Sequence, residues 1–467
     1  ITAPTGRAAA RLQESISRAL GTPDSGDSRI ESLRELAGRT VHSILEYNPR
    51  FGNFERNRER PLDASIVVVD EISMIDIAVF RKLLEAVRDE TVLILLGDRN
   101  QLPSVDAGAV LGDLATPFTG NDSTQGEEST IAAISSEMYS RLSPLLSPSL
   151  LPPTIVSTTQ SPLIDHFIVL TKSYRSVPAI ANCAHDVNVG TLGKSGRFAA
   201  TEKVYSHTQS FTDVDEGVFC APYAEPLSAQ RAWVDTCFGA KYVEAVRSLT
   251  TELSAFLKAS QEGQPDCSSI SILRRAGEVE SLKPLFDTVF SHLDSSVTLC
   301  IVRRGDSGSI RANQVARDTL LPHLAPEESS DLFHGCICMV TRNRPEYGLW
   351  NGDRGIILTV EHKQYALFRN ASGGYRFFAR DDIAALEAAF AITVHKSQGS
   401  EFERVLVLLP DTPHHILMTR EILYTAMTRA KRQVFVAGEW LVFDAAVGTR
   451  VRRRSGLLNE VIKEDQA

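Results

Sequence analysis

The 467-residue sequence predicts an α/β protein built on parallel sheets, with a smaller all-β piece set into its second half. Three observations carry that prediction. Ser65–Asp70 and Thr91–Gly97 are short, continuous apolar runs, the pattern of parallel strands buried on both faces. Each run ends in an acidic or glycine-bearing loop, and ligands of open α/β sheets bind at such C-terminal strand ends. Between about 310 and 385 the texture changes to short strand-like segments separated by turn signals.

Taken in order, Ile1 to Ala3 read as a strand end running into a loop. The first residue is not Met, so the expectation is a fragment whose N-terminal part is missing. Ala8, Leu12, Ile16 and Ala19 recur at helical spacing and predict a helix over Arg7–Leu20. Residues 115–165 are rich in Ser, Thr and Pro and read as a flexible insertion. A strand is expected at His166–Thr171, opening a second α/β region with helical material around Ala240–Leu257. Cys336–Thr341, Gly355–Val360, Tyr365–Arg369 and Tyr375–Ala379 read as antiparallel strands of a small β-barrel, with turns at Asn351–Asp353 and Ser372–Gly374. Parallel-strand texture returns at Ala389–Thr393, Val405–Leu409 and Gln433–Ala437. The expected domains are therefore 1–165, then 166–310 joined with 386–467, and the inserted barrel at 311–385.

A chain of this length needs roughly two to four cores, in keeping with that division. Its net charge of −9 argues against coating nucleic acid by bulk electrostatics, and leaves room for a groove that grips one strand locally. No apolar run approaches the length of a bilayer span, so no membrane association is expected. The seven cysteines are scattered and odd in number, and Cys336 and Cys338 are too close for a zinc knuckle. Reduced thiols in a cytoplasmic protein are the expectation.

Five segments carry chemistry. Asp70 and Glu71 end a buried strand, an arrangement in which one carboxylate holds Mg²⁺ and the next polarises an attacking water. The next strand ends at Gly97, Asp98 and Gln101, and a Gln held by that turn can sense the γ-phosphate of ATP. Tyr174 and Arg175 fit a residue flanking the nucleotide and a finger in cis. Gln398, Gly399 and Glu401 fit the nucleotide side of a donor-dense loop, whose Thr393, His395, Lys396 and Ser397 fit a nucleic-acid backbone. Arg429 is the second finger, whereas Lys431 and Arg432 read as a solvated basic helix end. Strand contacts are also expected from Thr2, Pro4, Thr5, Gly6 and Arg7 at a helix start, where Thr5 equally suits plain capping. Thr40 and His42 open another such loop.

Taken in chain order, the Thr2–Arg7 segment and the five segments after it resemble motifs Ia, II, III, IV, V and VI of superfamily 1 helicases. Ala3–Leu12, Gly97–Leu114, Leu349–Gly355, Ala391–Phe402, Thr419–Arg429 and Arg452–Leu458 resemble RecD-type helicases in particular. The resemblance implies two RecA-like parallel-sheet domains of the P-loop NTPase fold, the first truncated at its N-terminus, with an SH3-like barrel inserted. It implies an ATP- and Mg²⁺-dependent 5′→3′ DNA helicase in a RecBCD-type recombinational repair nuclease, acting on single- and double-stranded DNA beside RecB-like and RecC-like subunits. A stand-alone RecD-like helicase, the helicase part of a conjugative relaxase, and a non-catalytic DNA-binding subunit are the alternatives. The family's phosphate loop, GxxxxGK[ST], is absent, since Asn188 stands where the first glycine would precede Gly193-Lys194-Ser195. The 467 residues alone are therefore expected not to hydrolyse ATP.

Overall fold

The computed structural model describes residues 1–20, 33, 36–104, 107–119, 134–146, 156, 163–170, 173–191, 210–212, 215–221, 225–263, 268–370, 373–412, 415–451 and 453. The chain forms two compact units. The first comprises Ile1–Pro4, Arg39–Arg175 and Arg452–Ala467; the second comprises Thr5–Gly38 and Ser176–Val451.

The first unit is built on parallel strands β1 (Thr2–Ala3), β2 (Arg39–Thr40), β5 (Ile66–Val69) and β6 (Val92–Leu95), in the order β2-β1-β5-β6. A separate hairpin joins β3 (Tyr47–Asn48) to β4 (Asn53–Phe54). The helix Ile77–Ala86 starts at Asp76, whose carboxylate accepts from the amides of Ala78 and Val79 at 2.8 and 2.9 Å. That satisfies donors the first turn would otherwise leave open. Its Val79, Phe80, Leu83 and Ala86 pack into the same core as Val67 and Val69. Burial is one-sided, contrary to the expectation of strands covered on both faces. Ile66 and Val92 are 58% and 55% exposed, because the described helix covers only the face that carries Val67 and Val69. The register Val69↔Leu95, extended by the Leu96 amide donating to the Val69 carbonyl at 2.8 Å, makes the loops after β5 and β6 leave side by side.

The second unit has a parallel sheet in the order β14-β8-β15-β16-β7. Its strands are β7 (Gly217–Cys220), β8 (Ser296–Cys300), β14 (Ala391–Thr393), β15 (Phe402–Leu408) and β16 (Ala430–Ala437). Here β8 is buried along its whole length, its polar Ser296 and Thr298 included. Phe435 packs against Phe211, Phe219 and Trp233, with ring centroids 5.0 to 5.5 Å apart. Buried Gln230 is satisfied at both ends: it donates to the Ala312 carbonyl at 3.2 Å and accepts from the Thr298 hydroxyl at 2.7 Å.

The antiparallel strands fall where the sequence places them: β9 (Ile337–Val340), β10 (Arg354–Val360), β11 (Lys363–Arg369) and β12 (Tyr375–Ala379). They form a five-stranded sheet, β12-β11-β10-β9-β13, whose fifth strand β13 (Leu386–Ala388) carries the sheet past residue 385. At the other end, residues 311–324 belong to a helix, Ser309–Leu324, that packs on the helix Pro226–Phe238 and on β14. Over the described residues 166–170 the strand expected at His166–Thr171 does not form. Ile164–His166 is a single 3₁₀ turn, and 167–170 joins no sheet. Ile168 and Leu170 are 83% and 89% exposed, since apolar content without a ladder does not make a strand. The first strand of the second sheet is β7 instead. Most of the insertion at 115–165 lies outside the described residues; within it Ser136–Leu142 is helical.

Phe435→Ala removes a ring packed against three others and is expected to cost about 3–5 kcal/mol. Urea denaturation followed by tryptophan fluorescence reads this directly; a cost below about 1 kcal/mol contradicts close packing there.

Candidate functional site

Asp70 follows β5 directly, its amide donating to the Thr2 carbonyl at 2.9 Å. Its carboxylate accepts from the Glu71 amide at 2.8 Å. Burial raises the Asp70 pKa, opposed by that hydrogen bond and by the nearby Arg175 guanidinium. Glu71 has φ 52 and ψ 41, a left-handed conformation that costs a non-glycine residue about 1–3 kcal/mol. Its surroundings hold it there: Met74 N donates to Glu71 O at 3.0 Å, and Ile72 N to Leu96 O at 2.9 Å. Backbone strain of this kind clusters where a side chain must be aimed.

One strand over, Asp98 accepts from Asn100 N at 2.9 Å and from Gln101 Nε2 at 3.4 Å. Gln101 is 7% exposed, and its Oε1 has no hydrogen-bond partner among the described residues. A buried amide oxygen left in that state is costly unless something else fills its lone pairs. The first unit thus assembles Asp70, Glu71, Asp98 and Gln101 on two adjacent loops, and places Arg175 within electrostatic reach of Asp70. Tyr174, beside Arg175, is 83% exposed.

In the second unit, β14 ends at Thr393 and runs into the 3₁₀ segment Val394–Ser397. Lys396 pairs with Glu387. Ser397 is fully buried, and its hydroxyl donates to the Val394 carbonyl at 2.7 Å, so it braces the loop from inside. Gln398 N donates to the His395 carbonyl at 3.4 Å, Gly399 has φ +70, and Glu401 lies 4.0 Å from Arg11. Arg429 follows the helix Arg420–Met427 and is 1% exposed. Its guanidinium donates to Thr425 O at 3.2 Å and Ser400 O at 3.4 Å. Lys431 and Arg432 lie on β16 rather than at a helix end, because the helix stops at Met427; they pair with Glu403 and Glu216.

The N-terminal residues expected on a strand path are mostly engaged elsewhere. Thr2 is buried, its hydroxyl donating to Arg39 O at 2.8 Å. Thr5 caps the helix Gly6–Ala19 by accepting from the Ala8 amide, and a Cβ at Gly6 would stand 2.6 Å from the Trp350 ring. Arg7 donates to the Gly352 carbonyl at 2.6 Å, and burial lowers its pKa to about 10. Pro4 is half-buried. Thr40 caps Val41–Ile44, and His42 packs edge-on to Tyr47 at 5.3 Å. Of the second-unit donors, Thr393 and Lys396 are partly exposed. Gly190 is the left-handed end of the helix Pro178–Val189, and residues 192–195 lie outside the described set.

Sequence reasoning missed Glu387 and Arg303, which pair with each other at 3.4 Å. No local period links Glu387 to Lys396 nine residues on; only the turn from β13 into β14 does. The described residues include no cluster of metal-ligating side chains, and no two of the six described cysteines are joined to each other by a disulfide. No helix among them is long and apolar enough to cross a membrane. A desolvated Asp70 fits a hydrated cation, and the open Gln101 oxygen, an acceptor, fits a water molecule that donates to it.

Residues 1–107 match the AAA domain family, and residues 388–437 match the UvrD-like helicase C-terminal domain family. Together with two parallel sheets whose C-terminal loops carry these residues, the matches make the chain a relative of superfamily 1 helicases. Within that class it is a RecD relative. It is 30% identical to RecBCD enzyme subunit RecD of Haemophilus influenzae over 98% of this chain and 64% of that protein. The Mycobacterium tuberculosis subunit (strain CDC 1551 / Oshkosh) is 29% identical over 98% and 63%. The ATP-dependent RecD2 DNA helicase of Deinococcus radiodurans is 24% identical over 98% and 48%. The chain therefore spans less than two thirds of the RecD subunits it matches.

Because burial raises the Asp70 pKa, the folded state holds that proton more tightly than the unfolded chain does. The ionised carboxylate thus weakens the fold at neutral pH, and acid relieves the penalty. Asp70→Asn is expected to be more stable than the parent at pH 7. The gain should fade as pH falls through the raised value towards the ordinary 3.8. Denaturation at neutral and acidic pH checks this, and a less stable variant at pH 7 contradicts it.

Proposed function

We propose that this chain is the motor portion of an ATP-dependent, 5′→3′ DNA helicase that works beside RecB-like and RecC-like subunits in a double-strand-break-processing nuclease. The observation that carries the reading is the loop pair after β5 and β6: strained Glu71 beside desolvated Asp70, with the open oxygen of Gln101 on the adjacent loop. The polarity and the partner subunits rest on the likeness to RecD subunits alone. A stand-alone RecD-like helicase is the second reading, beside the likeness to a protein named as an ATP-dependent RecD2 DNA helicase.

In this proposal Asp70 holds Mg²⁺, which when bound draws charge from the phosphates of ATP. Glu71 takes a proton from water as the water oxygen attacks the γ-phosphorus. The bond to the bridging oxygen breaks, and ADP leaves with its electron pair. Gln101 orients the water, with Asp98 holding the amide. Arg175 and Arg429 stabilise charge gathering on the leaving phosphate, and Tyr174 flanks the nucleotide. Gln398, Gly399 and Glu401 shape the nucleotide side of their loop. On the DNA side, Thr393, His395 and Lys396 meet the strand backbone, joined by Pro4, Thr5, Gly6, Thr40 and His42. Thr2, Arg7 and Ser397, each of which also makes a hydrogen bond within its own unit, complete the DNA side. The 467 residues taken alone carry no GxxxxGK[ST] loop and are proposed not to turn over ATP.

The test is Glu71→Gln in the full-length protein. DNA-stimulated ATP hydrolysis should fall by about 10²- to 10⁴-fold while nucleotide binding persists. An unaltered rate removes Glu71 from its role, and a parent protein without DNA-stimulated hydrolysis overturns the reading.

A further inference from the structure

We propose that Glu387 is a competing carboxylate: it occupies Lys396 and Arg303 in the strand-free protein and is displaced when a nucleic-acid phosphate arrives. The inference rests on the reading that Lys396 lies on the strand path, and it assigns a role to two residues outside that reading.

Strands β8 and β14 are parallel neighbours in the register Cys300↔Thr393, so the loops that follow them leave the same edge of the sheet. The first of these loops carries Arg303 and Arg304, and the second carries His395 and Lys396. The edge is held in place from behind. Asn313, on the helix after the first loop, donates to Ala391 O at 2.7 Å and accepts from Ala391 N at 3.0 Å. Two strand-end loops with cationic side chains on one edge make the place where an open α/β sheet receives an anionic ligand.

Glu387 stands between those cations. One carboxylate oxygen contacts Lys396 Nζ and the other lies 3.4 Å from Arg303. A phosphodiester presents two non-bridging oxygens in the same fashion, so the carboxylate fills the geometry a backbone phosphate would use. The cluster is also open to exchange. The Lys396 and Glu387 side chains are 30% and 29% exposed, and that of Arg303 is 63% exposed. Ion pairs this exposed are weak and give way to a better anion. Glu387 cannot leave with its strand, because β13 is paired to β9 through Glu387↔Met339. Its charge therefore stays beside the path and opposes binding even after its side chain is displaced.

The test uses the full chain and a fluorescein-labelled oligothymidylate, with binding followed by anisotropy across a KCl series. Glu387→Gln should tighten binding about three- to tenfold at low salt and steepen the slope of log K against log salt by about one. Lys396→Ala should weaken binding, and Glu387→Gln should gain much less in that background. Thermal melting of each variant separates these effects from misfolding. If Glu387→Gln binds no tighter while Lys396→Ala still weakens binding, Glu387 only positions Lys396 and the proposal fails. If Lys396→Ala binds like the parent, Lys396 is off the strand path, and the functional reading beneath the proposal fails with it.

Discussion

A buried guanidinium holds the second unit's working end together. Arg429 is 1% exposed, and a cation taken out of water costs several kcal/mol unless hydrogen bonds replace its hydration. Two of those bonds go to main-chain carbonyls, one at Thr425 on the preceding helix and one at Ser400 on the loop before β15. The Arg429 carbonyl in turn accepts from Phe402 N at 2.9 Å. Helix, loop and strand must therefore sit in register before the charge can be buried at all. Two segments that the sequence presents nearly thirty residues apart are tied into one object.

The same logic recurs in the first unit, with a carboxylate in place of the guanidinium. Asp70 is desolvated at the end of β5, and its neighbour Glu71 is held in a left-handed conformation by hydrogen bonds to the adjacent loop. Both arrangements oppose local stability. They persist because parallel pairing fixes where each strand ends, so neighbouring loops cannot drift apart. In the proposed motor these strained or desolvated groups are the ones that meet phosphate, metal ion or water.

Much of this was legible in the sequence. Continuous apolar runs marked β5, β6 and β15, and helical spacing marked Gly6–Ala19 and Ala240–Gly263. Turn residues separated the antiparallel strands. What failed did so for physical reasons. The apolar run after His166 lacked a ladder, and the one-sided burial of β6 depends on which helices cover the sheet. Residue type identified Arg7 and Ser397 as polar donors; only packing shows that each also bonds within its own unit, to Gly352 and Val394. Glu387 was invisible because its partners are Lys396 and Arg303, brought together by topology rather than by any local spacing.

Arg429 is thus proposed to serve both the fold and the leaving phosphate. The measurement that tests it most directly is DNA-stimulated ATP hydrolysis by full-length Arg429→Lys, with its melting temperature recorded alongside. Lysine keeps the charge but loses the planar fork, so hydrolysis should fall by about 10³-fold even where the fold and nucleotide binding survive. A rate within about threefold of the parent, in a folded variant, would contradict the assignment of Arg429 to the chemistry.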